Sequence, residues 1–214
     1  MNIIEKTSEF VKATLAGAEG GHDWWHIHRV LENTRIIAKR EGADLLICEL
    51  GALLHDIADP KFHRGDEKKG CRIAKEFLST QSVSEIQINA VLEIIENISF
   101  SGGKENKKVK TIELQVVQDA DRLDAMGAIG IARAFNYGGY KNRLMYSPGI
   151  PIQKYSNPSE YRNSNSPTIN HFHEKLLLLK DLMNTRKGKE MALKRHEFML
   201  MFLRQFHKEW DGGI

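Results

Sequence analysis

The chain has 214 residues, of which 41% are hydrophobic and 28% are charged, as is ordinary for a globular protein with a sizeable core. Its formal net charge is only +3, so nothing in the composition requires a nucleic-acid partner. No stretch approaches the ~18 uninterrupted apolar residues of a transmembrane helix, and the two cysteines are too few for a disulfide framework. We expect a cytoplasmic protein with free thiols and with neither membrane nor nucleic acid among its partners.

Helical periodicity accounts for most of the first hundred residues. Apolar side chains recur at helical spacing over 1–16 and from Asp23 to about Arg40. Asp44 is predicted to cap a third helix, whose run LLICELGALLHDIA is apolar nearly all round. A helix of that kind is usually central to a bundle. The charged loop DPKFHRGDEKKG comes next, followed by helices at about 67–79 and 84–97.

The second half of the chain is helical at both ends. One helix is predicted from about Ile112 to Phe135 and two antiparallel helices over roughly 170–210. Between them, the segment 136–170 is rich in Gly, Pro, Asn, Ser and Tyr, and it is either a mobile lid over the substrate or a passive surface loop. No segment has the alternation of a strand. We predict an all-α, single-domain bundle over 1–214, with a core at about 20–135 and a C-terminal helical extension at about 170–210.

Histidine and carboxylate side chains recur at three points that helices could bring together. His26 is predicted to point into the bundle, and the adjacent pair His55-Asp56 closes the apolar third helix. Neighbouring residues point about 100° apart on a helix, so this pair can reach one ion only near a helix end, and Pro60 favours an end here. An Asp-Ala-Asp triplet at 119–121 supplies a further carboxylate. Imidazole and carboxylate groups together predict a site for a divalent ion.

This ordered set resembles the HD-domain phosphohydrolases. The matching runs are H-I-H-R-V at 26–30, A-L-L-H-D-I at 52–57 and D-A-D-R-L-D at 119–124, the last continuing as AMGAIGIARAF. The runs H-D-W-W-H at 22–26 and T-I-N-H-F-H-E-K-L at 168–176 are similar to those of one subgroup of small bacterial HD proteins. The resemblance covers nearly the whole chain and implies an all-helical bundle of the HD type.

The resemblance also implies which residues hold the metal. The ligands that it aligns are His26, His55, Asp56 and Asp121. It leaves Asp119 as a helix cap or as a hydrogen-bonding neighbour of the ligands. Relatives with two ions have further histidines between the His-Asp pair and the last aspartate, whereas this interval contains only His63. We therefore expect one divalent ion, and the ligand types do not distinguish among Mn, Fe, Co, Ni, Zn and Mg.

Candidate residues for the chemistry lie near the same points. Hydrolysis of a phosphate ester needs an oriented water, and Asp59 is the first candidate to orient it or act as general base, a helix-terminus role being the alternative. Guanosine-polyphosphate hydrolases have two consecutive acids at this spacing, whereas Pro60 follows here, which argues against that activity. Arg122 adjoins the aligned ligand and resembles a position that is basic in nucleotide-hydrolysing relatives, so we assign it a catalytic role. The candidate substrate-binding residues are His22, Lys61, His63 and Lys175.

The predicted activity is metal-dependent hydrolysis of a phosphorylated small molecule, above all a nucleotide. The resemblance favours release of pyrophosphate from a nucleoside triphosphate. Removal of phosphate from a monophosphate and hydrolysis of a cyclic nucleotide are the alternatives within the class. An alternative from another class is a non-catalytic helical module that senses a nucleotide or a metal through a degenerate site, although no aligned ligand is missing here. The oligomeric state does not follow from the sequence.

Overall fold

The computed structural model describes residues 1–17, 23–58, 68–98, 110–153, 155, 160 and 165–213. Regular structure in these ranges is helical, without a β-strand, which confirms the all-α prediction. The helices are α1 Ile3–Thr14, α2 Trp24–Glu41, α3 Leu45–Leu54, α4 Lys69–Ser79, α5 Glu85–Asn97, α6 Ile112–Asp124, α7 Gly127–Tyr140, α8 Thr168–Glu174, a 3₁₀ helix at Leu176–Leu182, and α9 Arg186–Trp210. None of the described helices is both long enough and apolar enough to span a membrane.

The chain divides into two compact units, Met1–Asp121 and Arg122–Ile214. Helix α3 is the centre of the first unit, where it packs against α1, α2 and α5, while α4 packs against α5. Leu50 and Leu53 on α3 are fully buried, and burying each such side chain contributes roughly 1.5–3 kcal/mol. The predicted cap is present, since Asp44 Oδ1 accepts a hydrogen bond from the Ile47 N–H at 3.1 Å. The single domain expected over 1–214 stays a prediction.

The two cysteines are free thiols, as the sequence predicts. Cys48 is fully buried in α3, and Cys71 is partly buried in α4. Burial raises the pKa of the Cys48 thiol to about 12, with a further contribution from nearby Glu113. Burial and nearby Glu96 raise the pKa of the Cys71 thiol to about 11. Both side chains are therefore neutral thiols in the folded protein at pH 7.

A cluster of aromatic side chains packs around the buried Phe172 in the second unit. The ring centroid of Phe135 on α7 lies 6.1 Å from that of Phe172 on α8 and 5.9 Å from that of Phe202 on α9, which are packing distances. Tyr146 lies edge-on to Phe206 of α9, with the ring centroids 5.9 Å apart. This tyrosine of the 136–170 segment thus packs against α9 of the same unit.

Two predictions of helix extent are wrong. The helix expected from Ile112 to Phe135 is two helices, because Gly127 has a φ of +69°, in the left-handed region that favours glycine. The preceding Ala125 and Met126 are strong helix formers, so the composition conceals this break. The two helices expected over 170–210 are instead α8, the 3₁₀ helix and the long α9.

The segment 136–170, expected to be a lid or a passive loop, is partly helical where it is described. Its first residues continue α7, so Tyr137 and Tyr140 lie exposed on the last turns of that helix. Further along, the Thr168 N–H donates to the Leu144 carbonyl at 2.9 Å. This hydrogen bond holds the middle of the segment against the start of α8. Whether the segment acts as a lid stays a prediction.

His171 on α8 is a partly buried imidazole with a strongly lowered pKa. Burial is the largest cause, and the nearby cations Lys175 and Arg143 add to it, so that the pKa falls to about 3. A histidine in the unfolded chain titrates near pH ~6.5, so the unfolded state binds more protons between these pH values. The contribution of His171 to stability is therefore complete above pH ~6.5 and is lost as the pH falls toward 3. We expect the free energy of unfolding to drop by up to about 1.4 kcal/mol per pH unit from this group.

Urea denaturation at pH 7.5, 6.0 and 5.0 measures this dependence. His171→Asn is expected to flatten the slope whatever it does to stability at pH 7.5, because the comparison is between slopes. Some slope should remain, since burial also lowers the pKa of His173. Equal slopes for the wild type and His171→Asn would contradict the prediction.

Candidate metal centre

Helix α2 presents His26 from its first turn. Asp23 caps the helix, with its Oδ1 accepting a hydrogen bond from the His26 N–H at 2.9 Å, so the backbone at His26 is fixed. The residue is only 2% exposed. Its Nε2 lies 3.7 Å from Asp56 Oδ2 and 3.5 Å from Asp121 Oδ1. His26 therefore faces inward, as its position in the sequence predicts, toward two carboxylates.

His55 follows directly after α3, in a turn over residues 55–58. Its Nδ1 lies 2.8 Å from the Ala52 carbonyl oxygen, so Nδ1 carries the proton and donates, and Nε2 keeps its lone pair. Nε2 is buried and has no hydrogen-bond partner among the described residues. It lies 3.9 Å from both Asp56 Oδ2 and Asp121 Oδ1. An unpaired buried nitrogen is costly, and a metal ion would satisfy it.

Three of these side chains, those of His26, His55 and Asp56, each offer a ligand atom within 4.8 Å of the other two, and Asp121 Oδ1 lies within 3.9 Å of both imidazoles. The nitrogen-to-oxygen distances among them are 3.5–3.9 Å, which is at or beyond the limit of a hydrogen bond. Two ligand atoms that each lie about 2.1 Å from one ion are at most about 4.2 Å apart, so every one of these distances fits a shared ion. Two carboxylates and two neutral imidazoles carry a charge of −2, which a divalent cation balances. The residues present therefore fit one divalent ion.

The Asp-Ala-Asp triplet lies near the C-terminal end of α6. Asp121 is the acid of the triplet whose carboxylate lies within 3.9 Å of both imidazoles, while Asp119 is fully buried. Between them, the Ala120 carbonyl accepts a hydrogen bond from Asn33 Nδ2 at 3.4 Å, which ties α6 to the helix that carries His26. Asn33 is not among the site residues predicted from the sequence. A polar residue on the buried face of α2 is the signal that could have revealed it.

The other site residues expected from the sequence are not brought to this cluster by any described contact. Arg122 donates a hydrogen bond to the Leu182 carbonyl, at the end of the 3₁₀ helix. Lys175 is exposed between α8 and that helix. The remaining candidates lie outside the described residues: His22, Asp59, Lys61 and His63. The roles assigned to all six stay predictions.

Comparison with known proteins identifies the family. The HD domain family matches residues 24–126. The YpgQ protein of Bacillus subtilis (strain 168) is 38% identical over 209 residues, which span 97% of this chain and 94% of that protein. A crystal structure of an HD-superfamily hydrolase from Bacillus thuringiensis has a TM-score of 0.78 at 45% identity, covering 97% of this chain and 96% of that one. Bacillus subtilis YpgQ in complex with ADP has a TM-score of 0.74 at 34% identity, covering 96% and 97%.

The helical fold and the His-Asp cluster define a class, the HD-domain metal-dependent phosphohydrolases. The chain belongs to this superfamily and, within it, to the small bacterial HD proteins that include YpgQ. It is therefore an enzyme, a metal-dependent phosphohydrolase, rather than the non-catalytic sensing module considered as an alternative.

Proposed function

We propose that the enzyme hydrolyses nucleotides and that it releases pyrophosphate from nucleoside triphosphates. The metal-dependent part of this proposal is carried by the buried His55 Nε2, which has no hydrogen-bond partner among the described residues and lies 3.9 Å from two carboxylates. The nucleotide part is supported by the relative YpgQ, whose structure was solved in complex with ADP. The two free thiols support the cytoplasmic location expected from the sequence.

We assign the metal ligands as His26, His55, Asp56 and Asp121. A divalent ion bound by them supplies charge neutralisation for a phosphoryl oxygen and an activated water. His55 is oriented for this by Ala52, since the Nδ1–H donates to the Ala52 carbonyl and turns the Nε2 lone pair toward the carboxylates. Asp56 and Asp121 supply the negative charge that selects a dication.

The remaining roles follow from position in the sequence. Asp59, three residues after Asp56, would orient water or accept its proton. Arg122, next to Asp121, would neutralise charge on the phosphate chain. The residues proposed to bind the substrate are His22, Lys61, His63 and Lys175.

A screen for released phosphate and pyrophosphate tests the proposal. The enzyme is incubated with nucleoside mono-, di- and triphosphates and cyclic nucleotides in Mn²⁺, Co²⁺, Ni²⁺ or Mg²⁺. We expect pyrophosphate and a nucleoside monophosphate from triphosphates, dependence on added metal, and loss of activity in EDTA. His55→Gln is the control, because glutamine cannot supply the Nε2 lone pair and should abolish release.

The products separate the alternatives. Inorganic phosphate from monophosphates would replace the pyrophosphohydrolase assignment with a phosphatase. A monophosphate formed only from cyclic nucleotides would indicate a phosphodiesterase. Release that persists in His55→Gln, or in EDTA, would contradict the proposed site.

A further inference from the structure

Asp121 lies near the C-terminal end of α6, where an α-helix has the fewest hydrogen bonds of its own. It is in the last turn of α6, which ends at Asp124, and the last carbonyls of a helix have no partner within it. Its side chain is 39% exposed, so packing around the carboxylate does little to fix it. The position of Asp121 relative to the imidazoles therefore depends on how the end of α6 is held.

Arginine side chains from two other helices bind that end. Arg195 of α9 donates a hydrogen bond to the Leu123 carbonyl. Arg133 of α7 donates to the Asp124 carbonyl at 3.2 Å and to the Asp124 carboxylate at 2.6 Å. Cations at a helix C-terminus also interact favourably with the helix dipole. Two of the last carbonyls of α6 thus accept from charged donors, one on the next helix and one 72 residues away. The Leu123 carbonyl also accepts from the Met126 N–H at 3.0 Å, so Arg195 adds a second hydrogen bond at this carbonyl.

The local backbone is built to admit Arg195. Gly127 adopts a φ of +69°, and a Cβ placed there would lie 3.0 Å from Arg195 Cγ and 3.2 Å from its Cβ. The missing side chain leaves room for the arginine to pass over the break between α6 and α7. Asp124 is only 1% exposed, and its carboxylate holds Arg133 in place. These residues all contact, or make room for a contact with, the backbone at the end of α6.

We propose that Arg195, with Arg133 in support, is a positioning residue for the metal site, acting through α6 on Asp121. This inference rests on the proposed function, because it takes Asp121 to be a metal ligand. Arg195 is not one of the proposed metal ligands. Its effect is to hold the backbone two residues beyond Asp121, so that the carboxylate stays aimed at the ion.

The direction of the change in Mn²⁺ affinity distinguishes a positioning role for Arg195 from an electrostatic role and from a role in folding alone. Removing a cation would strengthen binding of Mn²⁺ if Arg195 acted only through its electric field. Removing a positioning residue should weaken binding, by about 10–100-fold, as changes around metal ligands do. A residue that matters only for folding should lower the melting temperature and leave the dissociation constant for Mn²⁺ unchanged.

Isothermal titration with Mn²⁺ of Arg195→Gln, Asp121→Asn and the double variant forms a mutant cycle. We expect each single variant to bind Mn²⁺ more weakly, and Arg195→Gln to have little further effect once Asp121 is Asn. Arg195→Lys should recover part of the affinity, since it can still donate to the Leu123 carbonyl. Arg204→Gln, exposed on the same helix, is the matched control and should bind like the wild type.

The cycle separates failure of this inference from failure of the proposed site. Unchanged affinity in Asp121→Asn would overturn the ligand assignment itself. A weakened Asp121→Asn with unchanged or tighter binding in Arg195→Gln would overturn only the positioning role, as would simple additivity. If Arg195→Gln does not fold, Arg133→Gln replaces it in the cycle, with the same outcomes deciding.

Discussion

Asp56→Ala is expected to abolish hydrolysis while leaving the helical fold intact. Asp56 Oδ2 lies 3.7 Å from His26 Nε2 and 3.9 Å from His55 Nε2, so the substitution removes one of two charges from the proposed ion site. Changes to groups that only surround a metal ligand cost about 10–100-fold, and loss of a charged ligand should cost more. Asp56 lies in a turn after α3 and is partly exposed, so its substitution removes no apolar side chain from the core.

Thermal unfolding with and without Mn²⁺ tests the fold and the ion binding, and an assay of hydrolysis in saturating metal tests the activity. The wild type should gain about 2.7 kcal/mol of stability when the ion is present at 100 times its dissociation constant, and the variant should gain almost nothing at the same concentration. In EDTA the two proteins should unfold alike. Asp181→Ala, a change at an exposed carboxylate paired with Lys180, should behave as the wild type. Retained hydrolysis by Asp56→Ala in saturating metal would contradict the assigned mechanism.

Gly130→Ala is expected to be among the most destabilising single substitutions in the second unit. A Cβ at Gly130 would lie 2.3 Å from the Ala125 carbonyl oxygen and 2.4 Å from its carbon, which are backbone atoms and cannot turn aside as a side chain could. The first turn of α7 would have to move away from the break that follows α6. Overpacking of this kind costs 1–3 kcal/mol and sometimes more, so we expect a loss of about 3 kcal/mol.

Gly139→Ala is the matched control, because it makes the same change on the same helix. A Cβ there would meet nothing within 4 Å, so the greater helix propensity of alanine should make this variant as stable as the wild type, or more stable by up to about 1 kcal/mol. Melting temperatures measure the difference, at about 2–4 °C per kcal/mol for a chain of this size. Equal melting temperatures for the two variants would show that the contact at Ala125 does not constrain α7.

The parts of the fold that follow local rules could be predicted from the sequence. The central position of α3 follows from a run that is apolar nearly all round. Asp44 marks the start of this helix, because its side chain accepts a hydrogen bond from the N–H of Ile47, three residues further on. The pairing of His55 and Asp56 at a helix end follows from the 100° step between neighbours on a helix. The resemblance to HD proteins then chose Asp121 over Asp119, which periodicity alone left open, and the structure places Asp121 beside both imidazoles.

Two features could not be predicted from the sequence: the conformation of one glycine and a contact between distant residues. The break between α6 and α7 turns on a single left-handed glycine in a stretch of helix formers, and isolated glycines also occur within helices. The side-chain donor to the Leu123 carbonyl is Arg195, which lies 72 residues away. No spacing rule connects two such positions, because their proximity is a property of the folded unit.

The buried thiol of Cys48 is an internal probe of how often α3 opens. It lies two helical turns before His55 on the helix that leads to the His-Asp pair, it is fully buried, and its pKa is raised to about 12. An alkylating reagent can therefore reach its thiolate only while α3 is away from its neighbours, and the labelling rate reports how often that opening occurs. An ion held by His55 and Asp56 would make such openings rarer. The labelling rate of Cys48 would then report whether the metal centre is occupied, although Cys48 is not one of the proposed ligands.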